Sequence, residues 1–415
     1  MTIRTATRHE VRDDIYPARN TARGIALAAV PLDLAQRAAK VAAVAASHAA
    51  AVDSESRFPH EAIAAARAER LLGIAVPREL GGEGASTAEI VDVCYRLGRA
   101  CASTAMIYAM HQTKVACITR HGLSSPWHQL LLRRLNAEQL LFASSTTEGQ
   151  GGGDVRNSTA PIEHSGTRIS LERQATVISY GAAADGVVTI ARRAADAAST
   201  DQVLVAFLKQ DYTLEPLAGW DALGMRGTCS AGFKLVASGT SEQILPVSYD
   251  KIHAQTMMPF AHLAWSGAWA GIAAAAVDRA RGFVRKAAHR SGGKLPPGAL
   301  HLTRASASLR TLRSLIGAAL QRFEAVSADP AALEAIDFQT AMNLHKVNAS
   351  ELAVTTVMSA MQACGIAGYR NDSEFSIGRH LRDILSSPIM ISNDRILANL
   401  GAASLLSDVP SSLYD

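Results

Sequence analysis

Two stretches of this chain carry residue types that could hold a flat, polar or phosphorylated ligand. Phe142-Ala-Ser-Ser145-Thr146-Thr147-Glu148-Gly-Gln-Gly151-Gly152-Gly153-Asp154 sets hydroxyls beside three consecutive glycines. With no Cβ in the way, such a loop can bring several backbone N–H donors against the edge of a planar, hydrogen-bonding ligand. Taken alone, it also reads as a turn-rich connection. His289-Arg290-Ser-Gly292-Gly293-Lys294 offers a guanidinium, which grips a diphosphate bidentately and keeps its charge at every physiological pH. The same run reads equally as a solvated basic helix end. No G-x-G-x-x-G opens a helix after a strand, and no G-x-x-x-x-G-K-[ST] occurs, which disfavours a nicotinamide or P-loop site.

Composition narrows the class further. A chain of 415 residues exceeds one ordinary hydrophobic core, and 48% apolar residues can bury two or three. Charged residues at 19% and aromatics at 5% suit a helix-rich globular enzyme. The formal charge of +4, without a basic run interleaved with aromatics, gives no argument for nucleic acid. Five cysteines without a C-x-x-C suggest neither a disulfide framework nor a metal site, and a reducing cytoplasm is the expected home. No apolar run reaches the roughly 18 residues of a membrane span. The first 25 residues mix arginines with acids and lack an apolar core, so they read as a mobile arm rather than a secretory signal.

The elements that must position these residues fall into three blocks. Residues 26–139 read as helices, with Ile63, Ala66 and Leu71 and later Val91, Cys94, Leu97 and Cys101 at three- and four-residue steps. Residues 140–250 hold short β-branched runs bounded by Gly, Asp and Ser, among them Ala175-Thr-Val-Ile-Ser, Gly186-Val-Val-Thr-Ile-Ala and Gln202-Val-Leu-Val-Ala-Phe-Leu. Residues 251–415 return to helices, and Leu302, Ala305, Leu309, Leu312, Ile316, Leu320 and Phe323 predict one long amphipathic helix in a bundle. Periodicity by itself supports α+β with several domains.

Five motifs in order resemble the acyl-CoA dehydrogenase flavoprotein family. Thr146-Thr147-Glu148 through Asp154 is similar to its Thr-Glu-Pro-x-x-Gly-Ser-Asp loop, with Gly149 for Pro and Gly153 for the Ser that touches the CoA arm. Val177-Ile178-Ser179 resembles Trp-Ile-Thr, Leu223-Gly224-Met225-Arg226 the Gly-Met-Arg turn, and the His289–Lys294 run Arg-x-x-Phe-Gly-Lys. Gln362-x-x-Gly365-x-x-Gly368-Tyr369 and then Arg379 and Arg382-Asp383 complete the set. The resemblance implies an N-terminal helical domain, a middle β-barrel domain and a C-terminal helical bundle. It implies FAD held by Thr146, Thr147, Ser179 and Asn393, with Arg290, Gln362 and Gly365 reaching a neighbouring subunit's cofactor, hence a homodimer or homotetramer. His111 and Gly153 are the implied substrate contacts.

The resemblance breaks at the chemistry. Eight residues beyond Asp383, where the family's catalytic glutamate stands, the chain has Ile391, and the alternative base position on the first long C-terminal helix holds Ala261. Three readings follow. The first, favoured as the family's common reaction, is α,β-desaturation of an acyl thioester with an unconventional base, Asp394 or His262, and an electron-transfer flavoprotein as partner. The second is a two-component monooxygenase fed by a flavin reductase, with His111 or His380 as proton donor. It gains from Gly153 and Val177, which alter thioester recognition and the flavin face. The third is a non-catalytic relative acting as a binding subunit.

Overall fold

The computed structural model describes residues 32–148 and 157–406. The expected arm at residues 1–25 and Gly153 lie outside the described residues.

The first block is five helices, α1 (Leu32–Ser54), α2 (His60–Ala68), α3 (Thr87–Ala100), α4 (Ala102–His121) and α5 (Pro126–Glu138). Ser86 starts α3 with a reciprocal cap: its N–H donates to Glu89 at 2.7 Å while its hydroxyl accepts from the Glu89 N–H. Helix α4 is buried nearly all round, with Ile107, Tyr108, Val115 and Ile118 at 0% exposure. It is the core of this block.

Seven strands follow: β1 (Phe142–Ser145), β2 (Glu163–Ser165), β3 (Arg168–Ala175), β4 (Gly186–Arg192), β5 (Gln202–Leu208), β6 (Tyr212–Ala218) and β7 (Gly232–Thr240). They form two sheets among the described residues, in the orders β1-β4-β5 and β2-β3-β7-β6, and make up the middle β domain that the resemblance implies. β1 runs parallel to β4, with Phe142 opposite Gly186. β5 is buried at every position, with an apolar run over residues 203–208, whereas β3 alternates buried and exposed. The strand expected over Ala175–Ser179 is corrected: β3 ends at Ala175, and residues 176–180 turn, with Tyr180 left-handed at φ 45°. β-branched composition suggested a strand, and the buried Tyr180, whose hydroxyl donates to the Phe142 carbonyl at 3.0 Å, holds a turn instead.

The last block comprises α6 (Tyr249–Ile252), α7 (Met258–Arg290), α8 (Ala299–Val326), α9 (Pro330–Glu334), α10 (Ile336–Cys364), α11 (Ile366–Tyr369), α12 (Gly378–Ile384) and α13 (Asn393–Leu406). A π-helical turn at His253–Met257 joins α6 to α7. This one continuous helix, Tyr249–Arg290, is long and apolar enough to cross a bilayer, with mean hydropathy 1.3, which corrects the expectation that no stretch is. Its apolar window is 83% buried in the fold, as for a bundle's central helix. α3 lies against it so closely that a Cβ on Gly98 would sit 2.3 Å from the Ala268 carbonyl oxygen.

Candidate functional site

The β insert contributes a rim of neutral hydroxyls. β1 delivers Thr146 and Thr147, both half-buried, and the Ser145 hydroxyl, buried without a partner. Glu148 serves this loop's structure. It accepts from the Ser158 hydroxyl at 2.7 Å and the Thr159 N–H at 2.6 Å, and pairs with the buried Arg173 at 3.2 Å. On the adjoining turn, the Ser179 hydroxyl lies 2.8 Å from that of Ser230, which lies 2.7 Å from that of Thr228. Thr228 spends its proton on the Met225 carbonyl at 2.8 Å. Ser230 must therefore donate to Thr228, and Ser179 to Ser230. Ser179 is left with lone pairs for a ligand N–H.

His111 is tied into the scaffold of this rim. Its Nδ1 accepts the Phe142 N–H at 3.0 Å, so its Nε2 carries the proton and donates to the Leu72 carbonyl at 2.9 Å. Burial pushes its pKa down to about 4. With both ring nitrogens engaged and 0% exposure, His111 has no atom for substrate or proton delivery, which corrects the sequence expectation. Its role is to clamp β1, as Tyr180 does from the other side.

The C-terminal bundle holds a buried polar cluster that sequence reasoning missed. Lys346 of α10, 0% exposed, donates from Nζ to the Ile391 carbonyl at 2.6 Å and to Asn393 Oδ1 at 2.7 Å. It also lies over the Trp269 ring, 5.7 Å from its centroid. Burial lowers its pKa to about 8. The Asn393 amide donates to Ser350 Oγ at 3.0 Å. Ile391 itself sits at φ 51°, the left-handed region that a β-branched side chain resists. The ammonium on its carbonyl helps to hold that turn. The available signal was the face defined by Phe338, Met342, Ala349 and Ala353, on which position 346 falls at helical spacing.

His262 donates from Nδ1 to the Met342 carbonyl at 3.1 Å, and burial, with Lys346 and His345 nearby, pushes its pKa down to about 3. Such an imidazole is a poor proton acceptor near neutral pH. Asp394 lies exposed in the first turn of α13. Neither expected base is a buried, ionised group. Asn393 is buried in the Lys346 network, so its expected cofactor contact is replaced by a structural one in this chain. His380 is buried with Nδ1 unpartnered, but it lines a cleft with Arg379 and Arg279.

Arg290 and Gln362 end α7 and α10, both exposed at one end of the bundle. The intervening loop packs there, since a Cβ on Gly298 would lie 2.5 Å from the Ala363 carbonyl oxygen. Gly365 has φ 54° with open space around it, a conformation only glycine takes freely. The Gly-Met-Arg turn is structural: the Met225 N–H donates to the buried Asp383 at 2.7 Å, and a Cβ on Gly224 would meet the Arg382 carbonyl at 2.1 Å. No group of three His, Cys, Asp or Glu among the described residues could hold a metal ion.

The chain matches the acyl-CoA dehydrogenase N-terminal domain over residues 33–130 and the C-terminal domain over residues 253–406. It belongs to the acyl-CoA dehydrogenase family. A probable acyl-CoA dehydrogenase of Mycobacterium leprae is 34% identical over 110 residues, which span 26% of this chain and only 28% of that protein. An L-evernosamine nitrososynthase of a Micromonospora species is 27% identical over 367 residues, 81% of each chain. The FMN-bound TdsC of Paenibacillus sp. A11-2, a dibenzothiophene monooxygenase, superposes with a TM-score of 0.79 at 17% identity, covering 92% of this chain and 100% of its own. That last likeness is one of fold. Together with the family match, they show that this chain has the acyl-CoA dehydrogenase fold. Its own residues fit a flavin: an uncharged hydroxyl rim, the orphaned Ser145 hydroxyl and the accepting Ser179 suit a ring edge that both donates and accepts.

Proposed function

We propose that this chain is a flavin-dependent monooxygenase that takes flavin reduced by a separate reductase. The observation that carries the reading is the Ile391 turn. Desaturation of an acyl thioester requires a base for the α proton, a contribution of about 10²–10⁴ in rate. Ile391 stands where the resemblance puts that base, Ala261 fills the alternative position, Asp394 is exposed and His262 is held neutral. Oxygen transfer needs no such base. The nitrososynthase relative, matched over 81% of this chain, supports the same choice.

The bound flavin would supply the redox and oxygen chemistry. The chain's residues would position it: Thr146, Thr147 and Ser179 along the ring edge, with His111 and Tyr180 fixing β1 beneath them. A hydroxyl committed to accepting suits a reduced flavin, which carries more N–H groups than the oxidised form. Val177, 37% exposed where the resemblance has a tryptophan, leaves that face of the rim less covered. Arg290, Gln362 and Gly365, exposed at one bundle end, support FAD contacted from a neighbouring copy, in a homodimer or homotetramer.

The test is a coupled assay with a flavin reductase, FAD or FMN, and a panel of amines and sulfur heterocycles under isotopically heavy oxygen. A product carrying one heavy oxygen atom, formed only with the reductase, is expected. Turnover of acyl thioesters without oxygen would overturn the reading.

A further inference from the structure

A second feature of the chain stands apart from the flavin-binding residues. Between α1, α7, α12 and the 3₁₀ turn Arg226–Thr228 lies a cleft of about 460 Å³, and a smaller one of about 240 Å³ shares its Arg279, Arg379 and His380. Arginine dominates both. In the larger cleft Asp53 pairs with Arg382 at 2.9 Å, and in the smaller Asp278 pairs with Arg99 at 2.6 Å. Arg279 and Arg379 have no carboxylate within ion-pair distance among the described residues. Arg279 is half-buried and donates from Nη1 to the Ser376 carbonyl at 3.0 Å, which leaves other guanidinium donors uncommitted. Burial and the neighbouring Arg379 lower its pKa. His380, buried and with Nδ1 unpartnered, lines the same space. Asp383, beside the cleft, is buried, accepts the Met225 N–H and has its pKa raised to about 6 by that burial, while Asp372 pairs with Arg370 and Glu374 with Lys286.

Two guanidiniums facing one cleft, neither paired with a carboxylate, cost stability unless an anion joins them. The planar fork of each matches phosphate oxygens bidentately. Ser54, Asn371 and Ser373 add neutral donors, and the volume falls in the range of ligand sites for small molecules. We propose that the Arg279–Arg379 cleft is a second binding site, which takes a nucleotide-sized small molecule by its diphosphate group. It does not depend on the flavin reading.

Inorganic pyrophosphate and ADP are the probes, titrated calorimetrically into flavin-saturated protein. Both are expected to bind, more weakly as salt rises, and Arg279→Gln/Arg379→Gln should weaken both about tenfold or more at unchanged flavin content. ADP binding more tightly than pyrophosphate would place a nucleoside in the cleft; pyrophosphate binding as tightly assigns the site to the diphosphate alone, and both keep a diphosphate site. Without ligand the double variant should melt no lower than wild type, since like charges are removed. If it fails to fold, Arg379→Gln alone carries the test, with a loss of about fivefold. No binding by wild type, unchanged binding by the variants, or binding abolished by flavin saturation would each overturn the proposal.

Discussion

The accepting Ser179 and the strained Ile391 are the two residues whose chemistry most shapes this site, and each makes a measurable prediction. Removing the Ser179 hydroxyl deletes one hydrogen bond, worth about 1 kcal/mol net, or roughly fivefold in affinity. Ser179→Ala should weaken reduced flavin by that factor and oxidised flavin less, as judged by equilibrium binding under anaerobic conditions; equal losses would count against the proton order in the Thr228–Ser230–Ser179 chain. Ile391 pays for its left-handed backbone with strain of order 1–3 kcal/mol. Ile391→Gly removes a half-buried side chain and that strain together, so its denaturation midpoint should correspond to within about 1 kcal/mol of wild type. A loss well beyond 2 kcal/mol would mean that the side chain's packing, and not the Lys346–carbonyl bond, holds the turn. Ile391 could be set against the family's glutamate position from the sequence alone, because one position in an ordered motif suffices for that. Lys346 was not legible there: a lysine on a helix is usually solvated, and only tertiary packing shows it buried over Trp269.

At the level of elements, the packing of the bundle depends on how deeply α3 is set into α7. Gly98, Gly267 and Gly271 permit that approach, and a Cβ on Gly271 would lie 2.2 Å from the Tyr95 carbonyl oxygen. Backbone cannot yield there as a flexible side chain would. Gly271→Ala should cost about 1–3 kcal/mol in chemical denaturation. It should also alter the fluorescence of Trp265 and Trp269, which α7 carries on the turns just before Gly271. A variant as stable as wild type with unchanged fluorescence would show that the helices separate freely. The alternation that predicted α8 appears in the structure, with Ala305, Leu312, Ile316, Leu320 and Phe323 buried along Ala299–Val326. Composition misplaced the strand at Ala175–Ser179, because turn geometry there is set by Tyr180 reaching back to Phe142, a long-range bond that no local window contains.

Across the whole molecule, buried histidines set the response to acid. Burial pushes His111, His121, His128 and His345 down to about pKa 4 and His262 and His380 to about 3. An unfolded histidine titrates near 6.5, so between about pH 6.5 and 4 the unfolded chain binds more protons and stability falls as pH falls. Asp383, raised to about 6, acts in the opposite sense but is one group against six. Unfolding free energy should therefore drop by more than ~1.4 kcal/mol per pH unit across this window, the slope of a single unbalanced proton. A flat profile from pH 7 to 5 would contradict the burial of these rings. The family's order of helices, β insert and helices was readable because its motifs are local, whereas the arginine cleft joins α1, α7 and α12 from distant parts of the chain. The most direct test of the proposed chemistry is anaerobic titration of the oxidised, flavin-loaded protein with a panel of acyl-CoA thioesters while following flavin absorbance. No bleaching is predicted with any of them, because no base stands at Ile391; bleaching by one thioester at a catalytic rate would contradict the monooxygenase assignment and restore desaturation.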